Sequence, residues 1–267
     1  MNRIERRFSE LKKNKKKAFI AFITAGYPSL SITEKLIRQL EKSGVDIVEL
    51  GVPFSDPMAD GQIIQAASRA ALKRKVNLTG IFNLVKSLRK HSDIPVCLMT
   101  YYNPVFCFGQ ERFMRIASLS GVDGLIIPDL PPEEDRALLN YAAKYKIDVI
   151  CFISPTTSIQ RIKYITSISR GFIYYVSLTG VTGTRNKLSP GIISRLKLIK
   201  RYTDKPVCVG FGVSNASQVR QIEQFADGVI VGSAIIKKIN ENITSPSLVN
   251  KVGNFVSSLK GKPCIKK

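Results

Sequence analysis

The stretch VDIVELG, residues 45–51, is a short, almost continuously apolar run that ends in glycine. Such a run predicts a β-strand buried on both faces, as the strands of a parallel sheet are. Comparable runs recur along the whole chain. Together with the first they make eight candidate strands, at residues 18–24, 45–51, 95–101, 122–127, 147–153, 172–177, 206–210 and 227–232.

Amphipathic stretches separate these runs, and no linker or change of composition divides the chain. Strand and helix alternating eight times predict an α/β fold, a single (β/α)8 TIM barrel spanning residues 1–267, with extended loops after strands 2 and 6. Residues 1–17 are expected to form a basic segment or helix before strand 1. A doubly wound open sheet is the alternative, and eight similar strands in one chain favour closure.

Helix boundaries are also visible in the sequence. Ser31-Ile32-Thr33-Glu34 has the pattern of a capping box, and Gly44 is placed to end that helix. Ser189-Pro190 and Ser245-Pro246 each look like a capping serine followed by proline at the first helical position. Gly232-Ser233 precedes a short helix expected at residues 234–240.

The formal net charge of +21 raises the question of a nucleic-acid or membrane-surface role. The densest basic run, at residues 12–17, contains no aromatic side chain on which bases could stack. No apolar stretch is long enough to span a membrane, and no secretory signal is visible. We therefore expect no nucleic acid and no membrane among the partners, and a cytoplasmic location, or the plastid stroma if an organelle genome encodes the chain.

Histidine and cysteine limit the possible chemistry. His91 is the one histidine of the chain and follows a basic helix end, so a catalytic triad or a histidine-rich metal site is not expected. Five cysteines are present, and Cys97, Cys151 and Cys208 lie in apolar runs, which predicts reduced, buried thiols. No metal site is predicted, and the chemistry falls to carboxylates, hydroxyls, lysines or a bound cofactor.

In a barrel of this type the active site lies at the carboxyl ends of the strands. Glu49 lies inside an apolar strand, where burial would raise its pKa and suit it to acid–base work. Asp60 follows in a loop rich in proline and glycine that can fold over the barrel mouth. The structural alternatives are that Glu49 pairs with a lysine and that Asp60 caps the helix beginning near Gln62.

Three further loops lie at the predicted mouth. Residues 177–189, after strand 6, combine glycines with threonines and predict a lid. Gly210-Phe211-Gly212 after strand 7 and Gly232-Ser233 after strand 8 offer backbone amides where barrels commonly bind phosphate. A small phosphorylated ligand is therefore expected.

The run ELGVPFSDPMADGQIIQ (49–65) closely resembles the signature of tryptophan synthase α chains. Supporting motifs follow in family order over almost the whole chain: FITAGYP (22–28), YNP (102–104), PDLP (128–131), SLTGVTG (177–183), GFGVS (210–214) and VGSA (231–234). The resemblance implies retro-aldol cleavage of indole-3-glycerol phosphate to indole and glyceraldehyde 3-phosphate.

The same resemblance implies roles for individual residues. Glu49 matches the acid–base that protonates indole C3 and helps deprotonate the glycerol hydroxyl, and Asp60 matches the carboxylate that holds the indole N–H. The positions matching the indole pocket and lid are Phe22, Tyr101, Tyr174, Thr182 and Phe211. Those matching the phosphate site are Gly183, Gly212, Gly232 and Ser233.

A partner is implied as well. Pro53, Asp56 and Pro57 match the loop that meets the β subunit in an α2β2 heterotetramer, to which indole passes through a tunnel. No cofactor is expected in this chain, since pyridoxal phosphate belongs to the β partner. Gln62 departs from the family pattern, which usually has proline there, and the change is expected to loosen the loop that carries Asp60.

Three other functions are alternatives to the lyase for a barrel of this kind. A Schiff-base aldolase would need a lysine at the carboxyl end of a strand, and Lys17 and Lys205 instead precede their strands. A phosphosugar isomerase would release no indole. A basic nucleic-acid-binding barrel would bind strongly and in a salt-sensitive way without lyase activity.

Overall fold

Eight parallel strands close into a barrel in the computed structural model, which describes residues 2–176, 190–210 and 212–261. Each strand pairs with its neighbours in sequence, and the last pairs with the first. The closed (β/α)8 fold is therefore confirmed, and the open sheet is excluded. The strands are β1 Ala18–Thr24, β2 Ile47–Gly51, β3 Val96–Met99, β4 Gly124–Ile126, β5 Asp148–Ile153, β6 Ile173–Val176, β7 Val207–Gly210 and β8 Gly228–Val231.

All eight strands lie within the predicted ranges, and several are shorter than predicted. The largest differences are at β3 and β4, each three residues shorter than predicted. Strand β3 ends at Met99 and not at residue 101, because Tyr101 is already the N-cap of the following helix. Apolar side chains continue beyond the ladder into the first residues of loops, so hydrophobicity alone overestimates strand length.

Twelve helices occur in the described part of the chain, more than one for each strand. They are α1 Arg3–Lys13, α2 Leu30–Lys42, α3 Gln62–Lys73, α4 Leu78–Leu88, α5 Tyr102–Phe108, α6 Gln110–Ser120, α7 Arg136–Lys144, α8 Ile159–Ile168, α9 Pro190–Lys200, α10 Ala216–Glu223, α11 Ser233–Asn240 and α12 Leu248–Leu259. Pairs of helices follow β2, β3 and β8, and α1 precedes the barrel.

Two predicted helix starts are wrong. The capping residue of α2 is Ser29, whose side chain accepts a hydrogen bond from the Ile32 amide, while Ser31 lies inside the helix. The last helix begins at Leu248 with Ser247 as N-cap, so Ser245-Pro246 precedes it in a turn. At α2 the two serines offer equivalent local capping patterns, and Ser29 makes the cap. At α12 the turn that begins at Ser245 precedes the regular helix, and Ser247 makes no side-chain cap, so the difference is one of helix boundary.

The barrel interior is a core separate from the layer between strands and helices. Side chains at alternate positions point inward, among them Ile20 in β1 and Ile47 in β2. At the amino-terminal end of the strands, Ile4, Phe8 and Leu11 of α1 pack against this inner core and are almost fully buried. Helix α1 therefore closes that end of the barrel.

A repeated polar contact ties the strands together at the same end. One backbone amide of each odd-numbered strand donates to the side chain of a residue that precedes the next strand. The four contacts are Phe19 to Asp46 (2.8 Å), Val96 to Asp123 (2.9 Å), Cys151 to Ser169 (3.2 Å) and Val207 to Asp227 (3.0 Å). Asp123 also accepts from Arg3 (3.0 Å) and Arg89 (2.9 Å) while only 3% exposed.

Three lysines occupy the left-handed backbone region that follows a helix, where glycine is the usual residue. Their φ angles are +53° at Lys15, +58° at Lys75 and +58° at Lys146. A side chain with a Cβ is strained in this conformation, whereas glycine is not. These lysines therefore cost folding free energy at the ends of α1, α3 and α7.

Replacing Lys75 by glycine is expected to stabilise the protein by about 0.5–1 kcal/mol, because it relieves the left-handed strain without removing a packed side chain. Urea unfolding measures the change. Lys73→Gly, inside α3, is the matched control and should destabilise by about the same amount. If both substitutions changed the free energy of unfolding equally, the left-handed backbone at residue 75 would not contribute strain.

The single-residue expectations that concern the surface and the thiols are also resolved. His91, which follows a basic helix end, is exposed. Cys97, Cys151 and Cys208 are buried free thiols, as predicted. Cys107 is exposed, and Cys264 lies outside the described residues. Among the helices described, none has the length and apolar character needed to cross a membrane.

Candidate active site

Glu49 lies in the middle of β2, between Ile47 and Gly51 on the inward-facing side of the strand. Its side chain is completely buried, and neither carboxylate oxygen has a hydrogen-bond partner among the described residues. The alternative in which Glu49 pairs with a lysine is therefore wrong for this part of the chain. A buried carboxyl group without a partner favours its neutral form.

Burial raises the pKa of Glu49 to about 8. The neighbouring strand places Cys97 beside it, and both Cys97 and Cys208 are buried thiols whose pKa is raised, by burial first and by the nearby Glu49 among other charges. Among the residues that the structure describes, no cation offsets the effect of this burial on Glu49. Near neutral pH, Glu49 is therefore protonated and able to deliver its proton.

Asp60 lies in the loop between β2 and α3, and two contacts hold that loop in place. The backbone amide of Ala59 donates to the Tyr101 hydroxyl (2.9 Å), and the Gln65 side chain donates to the backbone carbonyl of Asp60 (2.9 Å). The N-cap of α3 is Gly61 and no side chain caps the helix there, so the alternative in which Asp60 caps this helix is wrong. The Asp60 carboxyl group is thus left for another partner.

Burial raises the pKa of Asp60 to about 6, although a hydrogen bond with Tyr101 acts in the opposite direction. Burial, and then the charge of Asp60, raise the pKa of Tyr101. The two carboxyl groups consequently differ in pKa by about two units, which separates an acid from a base at neutral pH.

The electrostatic surroundings of Tyr174 in β6 include both carboxyl groups. Its pKa is raised by burial first, then by the charge of Glu49, and to a smaller extent by Asp60. Both carboxylates therefore lie within electrostatic reach of one tyrosine. This arrangement brings together Glu49, Asp60 and Tyr174, three of the residues predicted for the site.

Aromatic rings form the walls of the lumen where two strands carry glycine. The ring of Phe22 lies over Gly51, where an added Cβ would come within 2.6 Å of it. The Tyr174 hydroxyl lies over Gly210 in the same way, within 2.5 Å of an added Cβ. Any larger residue at either glycine would displace the ring. Flat apolar walls of this kind suit a planar aromatic ligand.

The turn after β8 exposes backbone donors. Gly232 is the N-cap of α11 without a side-chain cap, and it packs against Phe22, since an added Cβ would lie 3.2 Å from the Phe22 Cβ. The first amides of α11 have no partner within the helix, as at every helix start, and can bind an anion. Gly212, after β7, has φ +69°, a conformation that favours glycine.

Several predicted residues lie outside the described residues. These are Thr182 and Gly183 of the lid, the rest of residues 177–189, and Phe211. In the partner loop, Asp56 is exposed while Pro53 and Pro57 are buried, and the adjacent Met58 is 86% exposed. Gln62 begins α3 with an exposed side chain.

Three contributors to the site were not predicted from the sequence. Gln65 holds the Asp60 loop, Phe54 stacks on Tyr101 with ring centroids 5.2 Å apart, and Phe152 packs against Tyr174 at 4.8 Å. Phe54 and Gln65 belong to the long motif at residues 49–65, so their position there was the available signal. Phe152 had none, because the sequence does not show which face of β5 points inward.

Neither a metal site nor a Schiff-base lysine is found among the residues that the structure describes. Across residues 2–176, 190–210 and 212–261, no three His, Cys, Asp or Glu side chains come together in a way that could hold a metal ion. Lys17 contacts Asp227 and Lys205 contacts the carbonyl of Thr166, so both lie at the end of the barrel opposite the mouth. Neither can reach a substrate beside Glu49.

Comparison with known proteins gives a consistent result. The family model for tryptophan synthase alpha chain matches residues 8–261. The tryptophan synthase alpha chain of Geotalea uraniireducens is 47% identical over 97% of this chain and 97% of its own length. That of Caldanaerobacter subterraneus subsp. tengcongensis is 45% identical over 97% of this chain and 99% of its own.

Solved structures are similar over the same length. The crystal structure of tryptophan synthase subunit alpha from Legionella pneumophila superposes with a TM-score of 0.91 at 38% identity, covering 98% of each chain. A chain of the tryptophan synthase a2b2 complex from Pyrococcus furiosus superposes with a TM-score of 0.86 at 37% identity, covering 91% of this chain and 98% of that one.

Proposed function

The chain belongs to the tryptophan synthase alpha chain family, whose members are lyases that cleave indole-3-glycerol phosphate, and from this premise we propose that Glu49 and Asp60 carry out the cleavage here. The observation that carries the proposal is the complete burial of Glu49, which has no hydrogen-bond partner among the described residues, inside an aromatic-walled lumen. Burial also raises the pKa of Glu49 above that of Asp60, the second carboxyl group of the site. The products are indole and glyceraldehyde 3-phosphate.

Glu49 acts first as an acid and then as a base. Its proton is transferred to indole C3, which turns the ring into an indoleninium cation. The Glu49 carboxylate then takes the proton of the hydroxyl on the carbon attached to C3. The bond between that carbon and C3 breaks, its electron pair returns to the ring, and a carbonyl group forms on the departing fragment. Glu49 ends protonated, ready for the next cycle.

Asp60 acts on the other side of the ring. With a pKa of about 6 it is ionised at neutral pH, so it can accept the indole N–H and stabilise the positive charge that develops there. The Tyr101 contact to Ala59 fixes the loop so that the carboxylate need not be reorganised during the reaction. Phe22 and Tyr174 supply the walls that hold the ring.

The anionic end of the substrate binds at the turns after β7 and β8. Gly212, Gly232 and Ser233 offer backbone amides, and the start of α11 adds the positive end of a helix dipole. Gly183, Thr182 and Phe211 belong to the same proposal through the family motifs alone. Phosphate binding there would leave the indole ring next to Glu49.

The pH dependence of kcat/KM for indole release is expected to be bell-shaped. Ionisation of Asp60 gives the acidic limb near pH 6, and ionisation of Glu49 gives the alkaline limb near pH 8. Tyr101→Phe removes the hydrogen bond that lowers the Asp60 pKa, so the acidic limb of that variant should move upward while the alkaline limb stays in place. A profile without an alkaline limb would contradict the acid role of Glu49.

Substituting Gly212 by aspartate is expected to raise KM by at least about tenfold, because a negative charge would stand beside the substrate phosphate. Gly212→Asn is the matched control, since asparagine has nearly the same size and tolerates positive φ without the charge. Steady-state indole release gives KM for both. Equal KM values for the two variants would show that the substrate phosphate does not bind next to Gly212.

A β subunit is the proposed partner, as in the a2b2 complex of the Pyrococcus furiosus relative. The loop with Pro53, Asp56 and Pro57 is the proposed contact, and the exposed Met58 gives it an apolar tip suited to burial. Pyridoxal phosphate is assigned to that partner and no cofactor to this chain. A cytoplasmic location, or a plastid stroma, remains part of the proposal.

Indole release from indole-3-glycerol phosphate, assayed with and without a β subunit, tests the function directly. Formation of glyceraldehyde 3-phosphate in equal amount is expected. Borohydride added with substrate should trap no covalent adduct, whereas trapping would identify a Schiff-base aldolase. Conversion of a phosphosugar without indole release would identify an isomerase and overturn the proposal.

A further inference from the structure

A lysine-lined cavity of about 580 Å³ lies at the end of the barrel opposite the candidate active site. The end of α1, the turn into β1, the end of α9 and the start of β7 enclose it. Its charged lining comprises six lysines and two aspartates: Lys12, Lys15, Lys16, Lys17, Lys200, Lys205, Asp204 and Asp227. The cavity therefore has a large positive excess in a volume typical of ligand sites.

The positive charge is only partly neutralised by the protein. Asp227 is shared by Lys17 (3.4 Å) and Lys200 (2.8 Å), so one carboxylate serves two ammonium groups. Lys12, Lys15 and Lys16 are exposed, and none of the three forms an ion pair with any residue that the structure describes. Those three ammonium groups are available to a ligand.

Lys205 is held in the cavity wall by the protein itself. Its ammonium group donates to the backbone carbonyls of Thr166 (2.6 Å) and Ser167 (3.4 Å) and forms no ion pair with a carboxylate of the described residues. The burial of this side chain lowers its pKa. A nearby anion would offset the cost of that burial, which makes Lys205 a fixed cation in a wall otherwise lined by flexible lysines.

A second cavity, of about 500 Å³, continues the first along α1. It shares Lys15, Lys16 and Lys17 with the first and adds Arg7 and Lys260. Glu10, Asp46 and Glu223 also line it, so its positive excess is smaller. Lys15, Lys16 and Lys17 thus form a ridge that lines both cavities. A linear anion could lie across this ridge and place phosphate groups in each cavity.

Base recognition has little support on this surface. Among the described residues, Phe8 is the one aromatic residue that lines either cavity; it is 8% exposed and packs against Phe172 with ring centroids 5.8 Å apart. A nucleic acid bound without exposed aromatic residues would lose the stacking that usually accompanies single-strand binding. The lining therefore favours a chain of phosphates without bases.

We propose that the amino-terminal end of the barrel is a binding site for a short linear polyphosphate, held by Lys12, Lys15 and Lys16 together with the fixed Lys205. The site is separate from the lyase reaction, because α1 and the filled barrel interior lie between it and Glu49. Occupation of the site is therefore expected to leave indole release unchanged while stabilising the fold.

Titration calorimetry of the full chain with sodium tripolyphosphate, and with a longer sodium polyphosphate, tests the proposal. Binding with a strong salt dependence is expected. The triple variant Lys12→Gln, Lys15→Gln, Lys16→Gln should bind at least about tenfold more weakly, with a shallower salt dependence. The control removes three exposed lysines elsewhere, Lys35→Gln, Lys86→Gln, Lys90→Gln, and should bind like the wild type.

Each other outcome counts against the proposal. Equal weakening in both triple variants would mean that net charge, and not this cavity, attracts the ligand. Tighter binding of a thymidine oligonucleotide of equal charge would replace polyphosphate with nucleic acid, and absence of binding at low salt would remove the site. Thermal melting checks that the variants fold, and Lys16→Glu alone, expected to weaken binding in the same direction, provides a second variant. Indole release is measured in parallel, so that failure here is distinguishable from failure of the lyase function.

Discussion

Glu49→Gln is expected to lower kcat for indole release by about two to four orders of magnitude, the usual contribution of a positioned acid–base group. Glutamine keeps the size of the side chain and cannot exchange a proton. Substrate affinity should change little, because the phosphate turns and the aromatic walls remain. Single-turnover indole release and equilibrium binding of the substrate separate these two quantities. Glu10→Gln, at the opposite end of the barrel, is the control and should turn over normally.

The same variant should also change how stability depends on pH. The folded-state pKa of Glu49, about 8, lies above the ordinary value of 4.5, so the wild type loses stability as pH rises from about 4.5 to about 8. Glu49→Gln removes this loss, and its melting temperature should fall less over that range. If Glu49→Gln kept its turnover, Glu49 would have no part in the mechanism. If the pH dependence of its melting temperature also matched that of the wild type, burial would not raise the pKa of Glu49.

Asp123→Ala is expected to destabilise the fold by about 3–5 kcal/mol, the usual cost of leaving buried charges unpaired. The carboxylate accepts from the guanidinium groups of Arg3 and Arg89 and from the Val96 amide at distances of 2.9–3.0 Å, so its loss leaves three donors without their acceptor. Chemical denaturation measures the change. The same contacts tie α1 and α4 to the strands, so the effect should appear as a loss of global stability.

Asp93 provides the control, because it also pairs with Arg3, at 3.2 Å, but its side chain is 74% exposed. Asp93→Ala should cost no more than about 1 kcal/mol, as exposed ion pairs do. A similar cost for the two substitutions would mean that the buried network around Asp123 contributes nothing beyond a surface pair. An Asp123 variant that stayed as stable as the wild type would contradict the structural role assigned to the contacts at this end of the barrel.

Most of the fold could be predicted because buried parallel strands have a local signature. VDIVELG and its seven counterparts are apolar on both faces, and this property depends on each strand alone. The start of α2 was predicted at the wrong serine, because Ser29 and Ser31 satisfy the same local rule and the choice between them depends on packing against the barrel. Errors therefore concentrate at the ends of elements, where the decision is not local.

The candidate site divides in the same way. Glu49 could be singled out because a carboxylate in an apolar strand is anomalous in the sequence itself, and its burial bears out that reasoning. The absence of a partner for Glu49 within the described chain could not be read from sequence, since a lysine on any neighbouring strand would have served. The same holds for Phe152, whose inward direction follows from barrel geometry, and for Gln65, whose contact depends on how the Asp60 loop folds.

Helix α1 closes the barrel at the amino-terminal ends of the strands, and this closure limits how a ligand can reach the active site. Ile4, Phe8 and Leu11 fill the space beneath the strands, so among the described residues no passage leads through that end of the barrel. A molecule that reaches Glu49 therefore arrives from the carboxyl ends of the strands. Substrate entry and product release therefore both take place on the side of the barrel that carries the loop with Pro53, Asp56 and Pro57. A β subunit bound to that loop would then affect access to the active site of this chain as well as accept its product.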